Sequence, residues 1–359
     1  MNLEITNYTA LLNVFFFIVA FVFSVLINRL FLKFSKNLGM RNVDESIVRW
    51  ETKSKPAFGG ISFYIIFLLS ISVYSVISAD KSIFEKQQFL GLLLAASLGF
   101  IVGLADDAYN TRPYLKFSAQ LICGILLISS GTYIQLFDNI YLNYSLTLLW
   151  VVGIMNSINM LDNMDAISSI VSIFIFLSGL YILIYIGKTN NIDFLIILGV
   201  LASILGFLIY NWHPSKIYMG DTGSQFLGVL LSAMGINYFW NTPFDAGYFS
   251  ASKQIILTAI IFIVPLVDTT TVVINRLAKK QSPFIGGKDH TTHHLSYLGF
   301  NDRKVAILLG GLSFISFLMA VVIVNYKNWS TSMAFCFSAY FLTVFGLIYS
   351  TTKKKKSKN

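Results

Sequence analysis

The chain has 359 residues, 55% hydrophobic and only 12% charged, with 32 Phe and a net charge of +9. Soluble domains carry about a quarter of their residues charged, so this composition excludes a soluble globular protein and points to an integral membrane one. The basic residues lie between apolar runs and in one tail, which argues against nucleic acid, and Cys123 and Cys336, both inside apolar runs, imply neither a disulfide framework nor a catalytic thiol.

A helix needs about 20 apolar residues to cross a hydrocarbon core of about 30 Å. In chain order such runs are predicted at 11–32, 57–79, 88–105, 115–134, 144–160, 166–187, 192–211, 223–240, 252–276, 304–325 and 331–351. Met1 to Ala10 carries Glu4 and no Lys or Arg, so the first run lacks the basic start of a cleaved signal and is expected to stay as a helix. Solid runs of Leu, Ile, Phe and Val exclude the short alternating strands of a β-barrel. The expected fold is therefore an all-α integral membrane protein with about eleven transmembrane helices. It forms a single polytopic domain over 1–359 with a basic tail at 353–359.

An odd number of spans puts the two termini on opposite faces. With the N-terminus outside, 21 of the 26 Lys and Arg fall on one face, and only Lys81, Lys86, Lys188, Lys253 and Lys327 on the other. Positive charge stays inside, so the first face, with the C-terminus, is cytoplasmic. The tail from Lys353 to Lys358 then reads as a stop-transfer and anionic-lipid anchor.

Four polar clusters fall on that face. The first is Asp106-Asp107, followed by Arg112-Pro113 and Lys116. Adjacent carboxylates at a helix end repel each other and call for a nearby cation, although helix capping also accounts for such residues. Pro113 suits the first turn of the next helix, with Lys116 one turn further in. The second cluster is Asn156, Asn159, Asp162 and Asp165. A spacing of three drifts about 60° backwards per step on a helix, so Asn156 and Asn159 share a face and Asp165 points away. A break near Asn163 would let all four converge.

The third cluster, Met219-Gly220-Asp221-Thr222-Gly223-Ser224, has the glycines for close backbone approach and a carboxylate at a helix start. The fourth lies in the longest cytoplasmic loop, 276–304, as Gly286-Gly287-Lys288-Asp289-His290 with His293 and His294. No nearby Cys or Glu completes a usual zinc set, and Lys, His and glycine-freed amides suit phosphate better. His213, before Pro214, reads as an interfacial residue. Asp268, beside Pro265, is the one carboxylate placed clearly inside a span. Carboxylates, amides, Lys and His on one face are what a phosphoryl transfer between two anions requires, with Mg²⁺ to cancel their repulsion.

These motifs resemble those of the polyprenyl-phosphate N-acetylhexosamine-1-phosphate transferases, of glycosyltransferase family 4. The resemblance runs from Lys55-Pro56 and Gly59-Gly60 to the 290–300 region. Asp106-Asp107 with Lys116 resembles the family's aspartate pair and lysine. Asn156 to Asp165 resembles its N-x-x-N-x-x-D-G-x-D-G segment, with Asn163 and Ala166 in place of the two glycines. Met219 to Ser224 matches M-G-D-S/T-G-S, and His290, His293 and His294 resemble its histidine motif.

The resemblance implies a cell-membrane enzyme with its active site facing the cytoplasm. It would transfer GlcNAc-1-phosphate, or a related N-acetylhexosamine-1-phosphate, from a UDP-N-acetylhexosamine to undecaprenyl or another polyprenyl phosphate. UMP would leave, starting a surface glycan such as lipopolysaccharide, and homodimers fall within the expectation. It implies Mg²⁺, with Mn²⁺ as a substitute, held by Asp221 and Asn159. Asp106, Asp107, Lys116 and Asp162 would be catalytic. Asn156, Asp165, Gly286, Gly287, Lys288, His290, His293 and His294 would bind substrate, Asp165 through uracil. The two-residue spacing between His290 and His293 departs from the branch that takes UDP-N-acetylmuramoyl-pentapeptide. A transporter is the rival from another class, but it would place its ionisable groups near the midplane rather than at one face.

Overall fold

The computed structural model describes residues 2–34, 55–78, 82–244, 250–282, 287 and 289–353. Gly286, Lys288 and the tail from 354 onward, all singled out above, lie outside the described residues.

The helices in chain order are α1 (Asn2–Phe34), α2 (Gly59–Ile77), α3 (Gln87–Tyr109), α4 (Pro113–Ser129), α5 (Ile140–Leu161), α6 (Ile167–Tyr185) and α7 (Ile192–Asn211). They continue as α8 (Gly220–Met234), α9 (Ala251–Ile261), α10 (Ile263–Ala278), α11 (Thr291–Tyr297), α12 (Asp302–Asn325) and α13 (Thr331–Thr351). Every predicted run falls on helix, though not always on a single one, and no strand occurs among the described residues. Among the described residues, eight helices are long and apolar enough to cross a membrane: α1 (from Ala10), α2, α3, α5, α6, α7, α12 and α13. The chain is a multi-pass membrane protein.

Three predicted spans take other forms. The α4 helix has 17 residues, and α8 runs on into a π-helical turn at Gly235–Trp240. The stretch 252–276, predicted as one span, is two helices, α9 and α10, bent by 81°. Pro265 explains the break, because its ring clashes with the carbonyl four residues back, at Ile261, where α9 ends.

Helix α8 is the central pillar, with nearly every residue buried, and it packs against α2, α3, α5 and α6. The apolar windows of α6 and α7 are 72% buried, against 22% in α1 and 11% in α13, so the last two form the outer edge. Phe67 of α2 meets Phe226 of α8 edge-on at 5.4 Å, a geometry aromatic rings favour. At the site end, α2 and α8 touch backbone to backbone. A Cβ on Gly60 would lie 2.1 Å from Gly223 N. The otherwise unpaired N–H groups of Gly59 and Gly60 donate to Tyr218 O and Met219 O at 3.1 and 3.0 Å.

Candidate active site

The end of α3 and the start of α8 are built into each other through Asp107. Its Oδ1 accepts Asp221 N–H at 2.9 Å, and its Oδ2 accepts Thr222 N–H and Oγ1–H at 2.8 and 2.6 Å. A helix N-terminus presents unpaired donors and a positive dipole end, so a carboxylate is the natural cap. Gly220 makes the approach possible. It has φ +74°, and a Cβ there would sit 2.5 Å from Asp107 Oδ2.

Asp106 faces elsewhere. Its Oδ1 accepts the N–H and hydroxyl of Thr111, the former at 2.9 Å. Asn110, left-handed with φ 51°, turns the chain so that Pro113 opens α4 and Lys116 comes inward.

Lys116 Nζ then meets three oxygens from three other helices: Asp221 Oδ2 at 2.5 Å, Asn159 Oδ1 at 3.2 Å and Asp106 Oδ2 at 3.4 Å. Asn159 Nδ2 in turn donates to Asp221 Oδ1 at 2.6 Å and Ser224 Oγ at 2.9 Å. Two carboxylates and a carboxamide thus surround one cation. Among the described residues no three His, Cys, Asp or Glu side chains form a metal cluster. The donor set is nevertheless all oxygen, partly open, and already arranged about a positive charge. That suits a hard divalent cation, which binds one or two carboxylates and completes its shell with substrate phosphates.

Asp162 follows the end of α5, with the Gly220 backbone N–H as a partner. Burial, with the charges of Asp221, Asp107 and Asp165, pushes its carboxyl well above the usual carboxylate range. Negative charge is in excess here, which also favours a cation.

The histidine loop is pinned at three points. Arg276 grips Asp289 with two bonds of 2.8 and 2.6 Å. Burial opposes ionisation of Asp289, but the guanidinium outweighs it and holds the carboxyl below its ordinary range. Asp268 Oδ1 accepts Thr291 N–H at 2.9 Å, starting α11, and Asp268 Oδ2 lies 3.2 Å from His290 Nδ1. Thr292 Oγ1 donates to Asn163 Oδ1 at 2.9 Å, tying α11 to the turn after α5. His293 is 3% exposed, and burial together with neighbouring His290 lowers its imidazole to about 4.

A model of glycosyl transferase family 4 matches residues 89–238, the stretch holding Asp106, Asp107, Lys116, Asn159 and Asp221. A probable undecaprenyl-phosphate N-acetylglucosaminyl 1-phosphate transferase of Bacillus subtilis is 29% identical over 324 residues, covering 87% of this chain and 86% of that one. A phospho-N-acetylmuramoyl-pentapeptide-transferase of Streptococcus agalactiae is 32% identical over 240 residues, 61% of this chain and 71% of that one. The chain belongs to glycosyl transferase family 4. The decaprenyl-phosphate N-acetylglucosaminephosphotransferase of Mycobacterium leprae is 26% identical over 276 residues, 71% of this chain and 69% of its own.

Within this family 4 chain, the second motif divides instead of converging. Asn159 and Asp162 stand at the α8 start. Asn156 lies one turn deeper, exchanging hydrogen bonds of 2.8 and 3.1 Å with Gln120. Asp165, 3% exposed, accepts from Ser215 N and Oγ at 2.9 and 2.6 Å and pairs with His213 Nδ1 at 3.0 Å, with Lys55 Nζ 3.9 Å away. His213, read as merely interfacial, is therefore a partner of the motif. The break expected near Asn163 is present, since α5 ends at Leu161 and α6 starts at Ile167. The turn closes at Ala166, with φ 67°, whose N–H donates to Asn211 Oδ1 at 3.0 Å. Gly287 packs beside the Arg276–Asp289 pair, and His294 lies edge-on to Tyr297.

Sequence reasoning missed Gln120, Gln225 and Asn211. Each is a polar residue inside an apolar run, and that was the available signal.

Proposed function

We propose that this family 4 protein transfers N-acetylglucosamine-1-phosphate from UDP-N-acetylglucosamine to a polyprenyl phosphate at the cytoplasmic face of the cell membrane. The observation that carries the reading is the oxygen cage around Lys116, drawn from α3, α5 and α8 at one end of the bundle. The relative that pairs over 87% of this chain, named for N-acetylglucosaminyl 1-phosphate transfer, supports the sugar. The 21-to-5 division of basic residues supports the cytoplasmic side.

An oxygen of the lipid phosphate attacks the phosphorus that carries the sugar, and UMP departs with the bonding electrons. One phosphoanhydride forms as another breaks, so the anomeric C–O bond and its configuration survive. Mg²⁺, held by Asp221 and Asn159 with Asp106 at the edge, would neutralise the oxygens of the diphosphate. Lys116 adds a fixed positive charge where negative charge collects. Of the aspartate pair, Asp106 faces the cage and the incoming phosphate, while Asp107 holds Asp221 in place. His290, kept in orientation by Asp268, stands with His293 and His294 for the diphosphate, and Asp165 with His213 and Lys55 for the uridine.

The test is transfer of labelled N-acetylglucosamine-1-phosphate into organic-extractable lipid by the purified chain, with UMP released in equal amount. EDTA should stop it and Mg²⁺ restore it. Transfer only from UDP-N-acetylmuramoyl-pentapeptide, or from no UDP-sugar, would overturn the assignment.

A further inference from the structure

Beneath the cage lies a second polar layer that the reaction does not explain. Gln120 Nε2 donates to Asn156 Oδ1 at 3.1 Å and to Gln225 Oε1 at 3.0 Å, and Asn156 Nδ2 returns a bond to Gln120 Oε1 at 2.8 Å. Gln120 and Gln225 are fully or almost fully buried. Gln225 Nε2 is buried with no hydrogen-bond partner.

The placement of these amides follows the cage residue by residue. Gln120 lies four residues after Lys116 on α4, Asn156 three before Asn159 on α5, and Gln225 four after Asp221 on α8. Side chains three or four apart share a helix face, so each amide stands directly behind one member of the cage. Hydrogen bonds between the amides therefore fix how far each helix is rotated about its axis. That rotation decides whether Lys116, Asn159 and Asp221 meet.

Stability alone does not account for this layer. Primary amides are costly to bury in an apolar interior, and Gln225 leaves an N–H unpaired where Leu or Met would pack without that penalty. Groups behind metal ligands orient them, and this is a function that offsets such a cost.

We propose that Gln120, Asn156 and Gln225 are positioning residues that set the geometry, and hence the divalent-cation affinity, of the Lys116–Asn159–Asp221 cage. The proposal rests on the reading of that cage as a cation site. It separates cation affinity from fold stability, which ordinarily move together when a buried contact is lost.

The test uses the full chain in lipid nanodiscs, with Mn²⁺ binding followed by electron paramagnetic resonance, thermal unfolding measured in parallel, and kcat and KM for the UDP donor. Gln225→Leu and Gln225→Met remove the unpaired Nε2 but leave one Gln120 N–H without its acceptor, so both should unfold close to the wild-type temperature. Both should bind Mn²⁺ about ten- to a hundred-fold more weakly. Their kcat at fixed metal should fall while KM for the donor holds. Unchanged Mn²⁺ affinity in both variants, or affinity falling in step with unfolding temperature, would overturn the positioning role. Wild-type protein that binds no Mn²⁺ would instead overturn the cation reading, and this inference with it.

Discussion

Asp107 accepts the backbone N–H of Asp221 at 2.9 Å, so the aspartate pair at the end of α3 holds the residue that heads α8. The two motifs are 114 residues apart in the chain and form one structural unit. Asp107→Asn would turn an amide N–H toward backbone donors. It should destabilise the protein by about 1–2 kcal/mol, the usual cost of a lost helix cap. Transfer should drop on the order of a hundred-fold or more as Asp221 shifts. Thermal unfolding and turnover, measured together, check this. A variant of full stability and full activity would show that the cap is dispensable.

Asp221→Asn separates charge from fold. The amide keeps the shape, and Lys116 retains Asp106 and Asn159 as partners. Turnover should fall by orders of magnitude with a smaller change in unfolding temperature than Asp107→Asn produces. Near-normal turnover in the purified variant would sink the cation role.

Ala166 occupies the left-handed region at φ 67°, which costs an L-residue about 1–2 kcal/mol. Its buried position and the bond to Asn211 impose that conformation. Ala166→Gly removes the strain at some cost in chain entropy, so a gain of up to about 1 kcal/mol in stability is expected, without loss of transfer. A lower unfolding temperature would contradict this account of the turn.

His293 predicts an acid sensitivity. Its folded imidazole is lowered to about 4, against an ordinary value of 6.5. Between those values the unfolded chain binds the extra proton, so stability rises with pH through that window. The contribution is complete above about 6.5 and lost as pH falls toward 4. It amounts to up to about 3 kcal/mol, and His293→Asn should flatten that part of the stability–pH curve. Unfolding temperatures of both proteins from pH 4 to 7 check it. Parallel curves would mean that another group is responsible.

The positions and order of the helices were legible in the sequence, because a run of apolar side chains reports locally on burial in hydrocarbon. The four polar clusters were legible for the complementary reason, since ionisable residues at the ends of such runs are costly unless used. The three-residue spacing from Asn156 to Asp165 carried part of the local geometry too, whereas the bend at Pro265 fell inside a run expected to be one span. The break expected near Asn163 is there, with α5 ending at Leu161, but the four polar residues do not converge on one point.

What only the tertiary structure decided is which way each polar side chain faces. Asp106 and Asp107 are neighbours, yet one lines the cage and the other caps a helix. Asn156 belongs to a deeper layer than Asn159, and Asp165 turns to His213 and Ser215. Gln225 gains meaning only from Gln120, 105 residues away. These assignments depend on the rotation of each helix about its own axis and on where helices touch, as at Gly60 and Gly223. The energies that set them are short-range contacts between side chains distant in the chain, so a local pattern holds no record of them.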